Sequence, residues 1–165
     1  MKKIYFLAGI AILFGNTIIA QTIGSFRVGA SAGIISPKPG SFLAGYDQNR
    51  RSAGIHDNLF VKAVVISNTA TSMAIFTVDC IGMLYTQSLQ VRQGVSKAIP
   101  GFPAEHIIMS STHTHCGPDV VGIWGPDQTH SGVDSAYINS VVSIVVEQIV
   151  TAYKNQKTSW GQYAN

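Results

Sequence analysis

Two apolar runs joined by four polar residues constrain this chain more than any other feature. Leu59–Ser67 and Ser72–Asp79 are dominated by Val, Ile and Phe, and Asn68-Thr-Ala-Thr71 connects them. Runs of this length and composition favour strands, and so short a connection makes a hairpin the natural arrangement. Gln87–Ala98 then reads as a helix. Thr86 is its expected N-cap, Leu89, Val95 and the stem of Arg92 share its inner face, and Pro100 and Pro103 stop it. A third apolar run, His106–Ser110, has no helical period and reads as a buried strand. The strand–helix–strand order predicts a crossover unit within a sheet.

The flanking elements fit the same plan. Phe26–Ala30 is a short strand candidate, and Ser31–Asn58 reads as a long loop from its Gly, Pro, Ser and Asp content. Ala136–Tyr153, capped by Asp134 or Ser135, carries Ile138, Val141, Val142, Val145, Ile149 and Val150 as an apolar stripe at helical spacing. Ser159 onward looks like the start of another strand, with nothing after it to pair or cover it. The expected fold class is therefore α/β: a mixed sheet with packed helices.

Met1 to about Ala20 has the form of a secretory signal peptide. Lys2-Lys3 is the positive end, Ile4–Phe14 the apolar core, and Ala20 the small residue before a cut that leaves Gln21 first. An uncleaved anchor is the alternative, but Gly15-Asn16-Thr17 interrupts the run and leaves it short for a span. The protein is thus expected to be secreted or periplasmic, with residues 21–165 as the mature domain. The formal charge of +3 (11 basic, 8 acidic) falls to about +1 without Lys2 and Lys3. The remaining basic residues are scattered apart from Arg50-Arg51, so nucleic acid is excluded as a partner. No feature bears on oligomeric state.

The chemistry concentrates in Ser111-Thr-His-Thr-His-Cys-Gly-Pro118, at the carboxyl end of the third apolar run. In extended chain His113 and His115 would lean to one side, into a space that a metal ion or a polarised substrate could fill. Small and polar neighbours crowd them where a plain core strand would carry Val or Ile. Asp79 closes an apolar strand, so its carboxylate must be solvated, hydrogen-bonded or paired. It either orients one of the imidazoles from behind or caps the turn that follows. His56, beside Asp57, is either a further site residue or a histidine bonding backbone at a strand start. Val120, Val121, Ile123 and Trp124 form an apolar island after the histidines. They wall a greasy substrate pocket or tuck a loop onto the core. Cys80 and Cys116 are the only cysteines. Export would permit a disulfide between them, but two small buried thiols are the simpler reading. Cys116 as a metal ligand is weaker still.

The stretch STHTHCGP closely resembles the zinc-ligand motif of the neutral (non-lysosomal) ceramidases and their bacterial relatives. Ala44-Gly-Tyr-Asp47, Ala53-Gly-Ile-His-Asp57 with Leu59–Ala63, and Ala74–Gly82 resemble that family's upstream segments in order and spacing. The resemblance runs from about Phe26 to the chain end. It implies a Zn2+ cofactor, with His113 as a ligand and His115 facing the substrate as oxyanion donor or proton carrier. It also implies a ceramide-like lipid as substrate, through which any contact with a membrane surface would come. The reaction would be hydrolysis of the amide to a sphingoid base and a fatty acid. The family's other zinc ligands (a second histidine, a glutamate and a tyrosine) and its serine near the scissile bond lie further along the chain and have no counterpart here. The chain is therefore expected to be an amino-terminal part of a ceramidase-like catalytic domain, inactive alone. The stretch from Asp119 to Trp124 departs from the family's Gly-rich sequence. That keeps open an exported hydrolase of another amide or ester, or a non-catalytic binding protein on the same scaffold.

Overall fold

The computed structural model describes residues 25–159. The expected signal peptide and the segment after Ser159 lie outside that range. Five strands form one sheet: β1 (Phe26–Ile34), β2 (Phe60–Ser67), β3 (Ser72–Val78), β4 (Ile107–Ser111) and β5 (Lys157–Ser159). Their order across the sheet is β4-β3-β2-β1-β5. β2 and β3 pair antiparallel as a hairpin, with Val61 opposite Val78 and Ser67 opposite Ser72. Its turn is held by Asn68, whose side-chain oxygen accepts from the Ala70 and Thr71 N–H groups, both at 2.8 Å. β3 and β4 pair parallel, Ala74 with Ile107 through Val78 with Ser111. The crossover between them carries α1 (Tyr85–Ala98). The sheet is mixed, and the fold is α/β.

Two helices cover one face. α2 (Ser135–Lys154) packs on β1 and β2 and against α1. Asp134 is its N-cap, accepting from the N–H groups of Ala136 and Tyr137. Val141, Val145, Ile149 and Ala152 are buried under it, each Val or Ile contributing about 1.5–3 kcal/mol by leaving water. α2 is long and apolar enough to cross a membrane, but this stripe faces the sheet. On the sheet side the core is filled by Val61, Ala63, Val65, Ala74, Phe76, Val78 and Ile107.

Several elements differ from expectation. β1 runs to Ile34, so Ser31–Ile34 is strand rather than loop. Ser31 and Gly33 are small because α2 lies close: a β-carbon on Gly33 would meet Gln148 and Ile144, and the Ser31 hydroxyl bonds Gln148. The last strand begins at Lys157 and is not left unpaired, since it returns to β1 with Val28 opposite Lys157. α1 starts at Tyr85 with Leu84 rather than Thr86 at its cap, and the Gln87 side chain accepts from Leu84 N–H at 2.6 Å. Its buried face is Gln87, Ser88, Val91 and Val95, while Leu89 is exposed. Arg92 does turn inward at its head, donating to the Ile107 carbonyl at 3.0 Å.

Candidate active site

The imidazole pair sits just past the carboxyl ends of the two parallel strands. Thr112 N–H donates to the Val78 carbonyl at 3.1 Å, extending the β3–β4 pairing by one bond. The chain then turns. His113 adopts φ +60°, a left-handed conformation that costs a non-glycine residue roughly 1–2 kcal/mol. The two rings therefore do not meet by extended alternation. The turn at His113 brings them together, with centroids 5.3 Å apart and planes at 67°. Strain of this kind concentrates at functional sites.

His113 Nδ1 lies 2.7 Å from the Ile81 carbonyl oxygen. A carbonyl only accepts, so Nδ1 carries a proton, and in the neutral ring the lone pair is on Nε2. This backbone-oriented tautomer is the arrangement of a metal-ligating histidine. Asp79 does not supply that orientation. Its carboxylate accepts from Phe60 N–H at 2.8 Å, and Asp79 N–H donates to the Phe60 carbonyl at 2.9 Å. Asp79 thus pins the start of β2, neither backing an imidazole nor capping the turn that follows. Ile81 takes the orienting role, through a backbone atom whose side-chain identity carries no signal in sequence.

His115 is held from the other side by the early loop. Leu43 bridges to Pro118, Ala44 N–H donates to the Gly117 carbonyl, and Asp119 N–H donates to the Phe42 carbonyl. These bonds place Gly45 and Tyr46 against the second histidine. The Tyr46 ring meets His115 edge-on at 6.1 Å, and the Arg50 guanidinium lies 4.7 Å from the centroid of the same Tyr46 ring. An open cleft of about 940 Å³ adjoins the motif, lined in part by Tyr46, Arg50, Ile55, Leu59, Thr114 and Cys116.

His56 also lines this cleft, exposed and paired with Asp57 at 2.7 Å. Trp124 does not. It packs on the core cluster, and its N–H donates to Asp119. Asp119 is buried and organises the whole post-motif loop. Its two oxygens accept from the N–H groups of Val121, Gly122, Trp124 and Gly132 at 2.8–3.2 Å. The apolar island is therefore a loop tucked onto the core, with Ile123 alone turned well outward. Further along, exposed His130 pairs with Asp127. Hydrogen bonds from Thr129 and then His130 hold the Asp127 carboxyl well below its ordinary range.

Both cysteines are free thiols, so no disulfide joins them. Cys80 is buried beside Ser111, and that burial pushes its thiol pKa up. Cys116 is exposed, contrary to the expectation of two buried thiols. Among the described residues no three His, Cys, Asp or Glu side chains converge as a metal-binding group. His113 fits one ligand position of a zinc site, and the described residues do not complete the set.

This is an α/β domain with an oriented imidazole pair at the carboxyl ends of adjacent parallel strands, where open sheets place their ligands. The chain belongs to the neutral/alkaline non-lysosomal ceramidase family, matching its amino-terminal region over residues 26–162. It is similar in fold to neutral ceramidase from Pseudomonas aeruginosa, with a TM-score of 0.70 and 22% identity, over 81% of this chain and 22% of that one. A ceramidase complexed with C2 gives a TM-score of 0.68 with the same identity and coverage. The chain thus spans about a fifth of the length of these solved structures. No curated protein matches it.

Proposed function

We propose that this chain supplies part of the active site of an exported, zinc-dependent amidohydrolase acting on ceramide-like lipids. The carrying observation is His113, whose Nδ1 is committed to the Ile81 carbonyl so that Nε2 is free to bind a metal. Family membership supports the substrate class, and the partly apolar cleft beside the motif suits a lipid chain.

Zinc in such a site polarises the scissile carbonyl and makes water a nucleophile at neutral pH. His113 would hold the metal through Nε2. His115, at 5.3 Å between ring centroids, is near enough to face a substrate bound there. It would donate a hydrogen bond to the developing oxyanion, or carry a proton to the departing sphingoid nitrogen. The products are a fatty acid and a sphingoid base. The remaining ligands would come from polypeptide outside the described residues. Export rests on the Lys2-Lys3 leader and its apolar run.

His113→Ala in the product of the complete natural gene tests the assignment. Bound zinc, measured by elemental analysis, and ceramide hydrolysis should both be lost. Retained zinc with full turnover would refute it.

A further inference from the structure

The two faces of the sheet differ in what covers them. One is buried under α1 and α2. Nothing among the described residues covers the other. On β1, Gly29 and Gly33 press on α2, so alternation sends Ala30, Ala32 and Ile34 to the open side. The strand register aligns Ala30 with Val64, Val64 with Ile75 and Ile75 with Ile108, an apolar row across four strands. Ile34 is 54%, Val64 37%, Ile75 38% and Ile108 49% exposed. The charged residues of this face are Lys62 and Lys157, in the rows on either side of the central one.

A sheet face that meets water normally alternates to polar residues, and a contiguous apolar surface of this kind marks an interface. We propose that a second layer of polypeptide seats on this face. It would be supplied by chain equivalent to the four-fifths of the solved ceramidases that these residues do not match. Three observations select that occupant. The chain spans only 22% of each solved relative. The imidazole pair has no third metal-binding side chain near it among the described residues. And the row containing Thr77 and Ser110 immediately precedes Val78 and Ser111, so a layer on this face ends beside the histidine loop. Such a layer could carry the missing ligands to the site. A lipid surface fits less well, because this face has two lysines and, among the described residues, neither Trp nor Tyr at its rim. The inference stands whichever bond the enzyme cuts.

Thiol labelling tests it. Cys116→Ser removes the exposed thiol, and Ile75→Cys then places a reporter in the central row. The 165-residue chain and the product of the complete natural gene are compared with a maleimide probe. Position 75 should label rapidly in the chain and lose its labelling in the gene product. A Ser96→Cys control on the outer side of α1 should label in both. Equal labelling at position 75 overturns the proposal, including the case where the gene product is the 165-residue chain. Protection in the chain at twice the monomer mass overturns it in favour of a second copy. Protection appearing only with neutral lipid vesicles overturns it in favour of a membrane. Val64→Cys, in the same row, serves if Ile75→Cys folds poorly.

Discussion

Gly45 sits so close under the imidazole of His115 that a β-carbon there would lie 2.5 Å from Cγ and 2.6 Å from Cε1. Its φ of +82° adds a second reason for glycine. The early loop is therefore shaped to admit one particular ring. The bonds from Ala44 to Gly117 and from Leu43 to Pro118 make that fit a property of the backbone rather than of flexible side chains.

Gly45→Ala should cost about 1–2 kcal/mol from the left-handed backbone alone and also displace His115. Gly40→Ala is the matched control, with φ +96° and nothing within 4 Å of the added carbon. Urea denaturation should show both losses. Only Gly45→Ala should shift the His115 ring resonances and depress turnover of the complete enzyme. Equal behaviour of the two variants would separate Gly45 from the site.

His115→Ala should leave bound zinc intact and lower kcat by about 10²–10⁴-fold, the usual contribution of a positioned proton donor or acceptor. An unchanged kcat would remove His115 from the reaction. Loss of zinc would make it a ligand instead.

Asp119→Ala should unfasten the post-motif loop. Four backbone N–H groups lose their acceptor, and an unsatisfied buried donor costs about 1–3 kcal/mol. Asp119→Asn keeps one accepting oxygen and should cost about half as much. Amide exchange at Val121, Gly122, Trp124 and Gly132 reports the effect directly.

A thiol reagent should modify Cys116 quickly and spare Cys80 in the folded chain. Burial disfavours the Cys80 thiolate, which is the reactive form. The raised pKa keeps Cys80 protonated through neutral pH, so its protection should persist there and weaken as the solution becomes strongly alkaline. Two fast-reacting thiols at neutral pH would contradict the burial of Cys80.

Much of this architecture is legible in sequence because it rests on side-chain pattern. The hairpin around Asn68–Thr71, the crossover helix and the stripe of α2 all announce themselves through the period of Val and Ile. The misreadings occur where backbone or close packing decides. Ser31 and Gly33 look like loop residues, yet they are small because α2 packs directly on them. Leu89 looks like a core residue, but the face set by Val91 and Val95 leaves it outside. The histidines were visible, while their orientation was not. The acceptor for His113 is the Ile81 main-chain oxygen, and the turn that unites the rings is a dihedral at His113 itself.

The bond from His113 to Ile81 joins residues 32 positions apart, on loops that follow strands paired only after a helical crossover. Parallel pairing of this kind forms slowly, because a long chain closure precedes any reward. An unfolded chain owns both imidazoles but lacks the carbonyl that fixes the tautomer of one of them. Competence to capture a metal ion is therefore acquired with the tertiary fold, and metal uptake would serve as a chemical clock for the closing of β3 against β4.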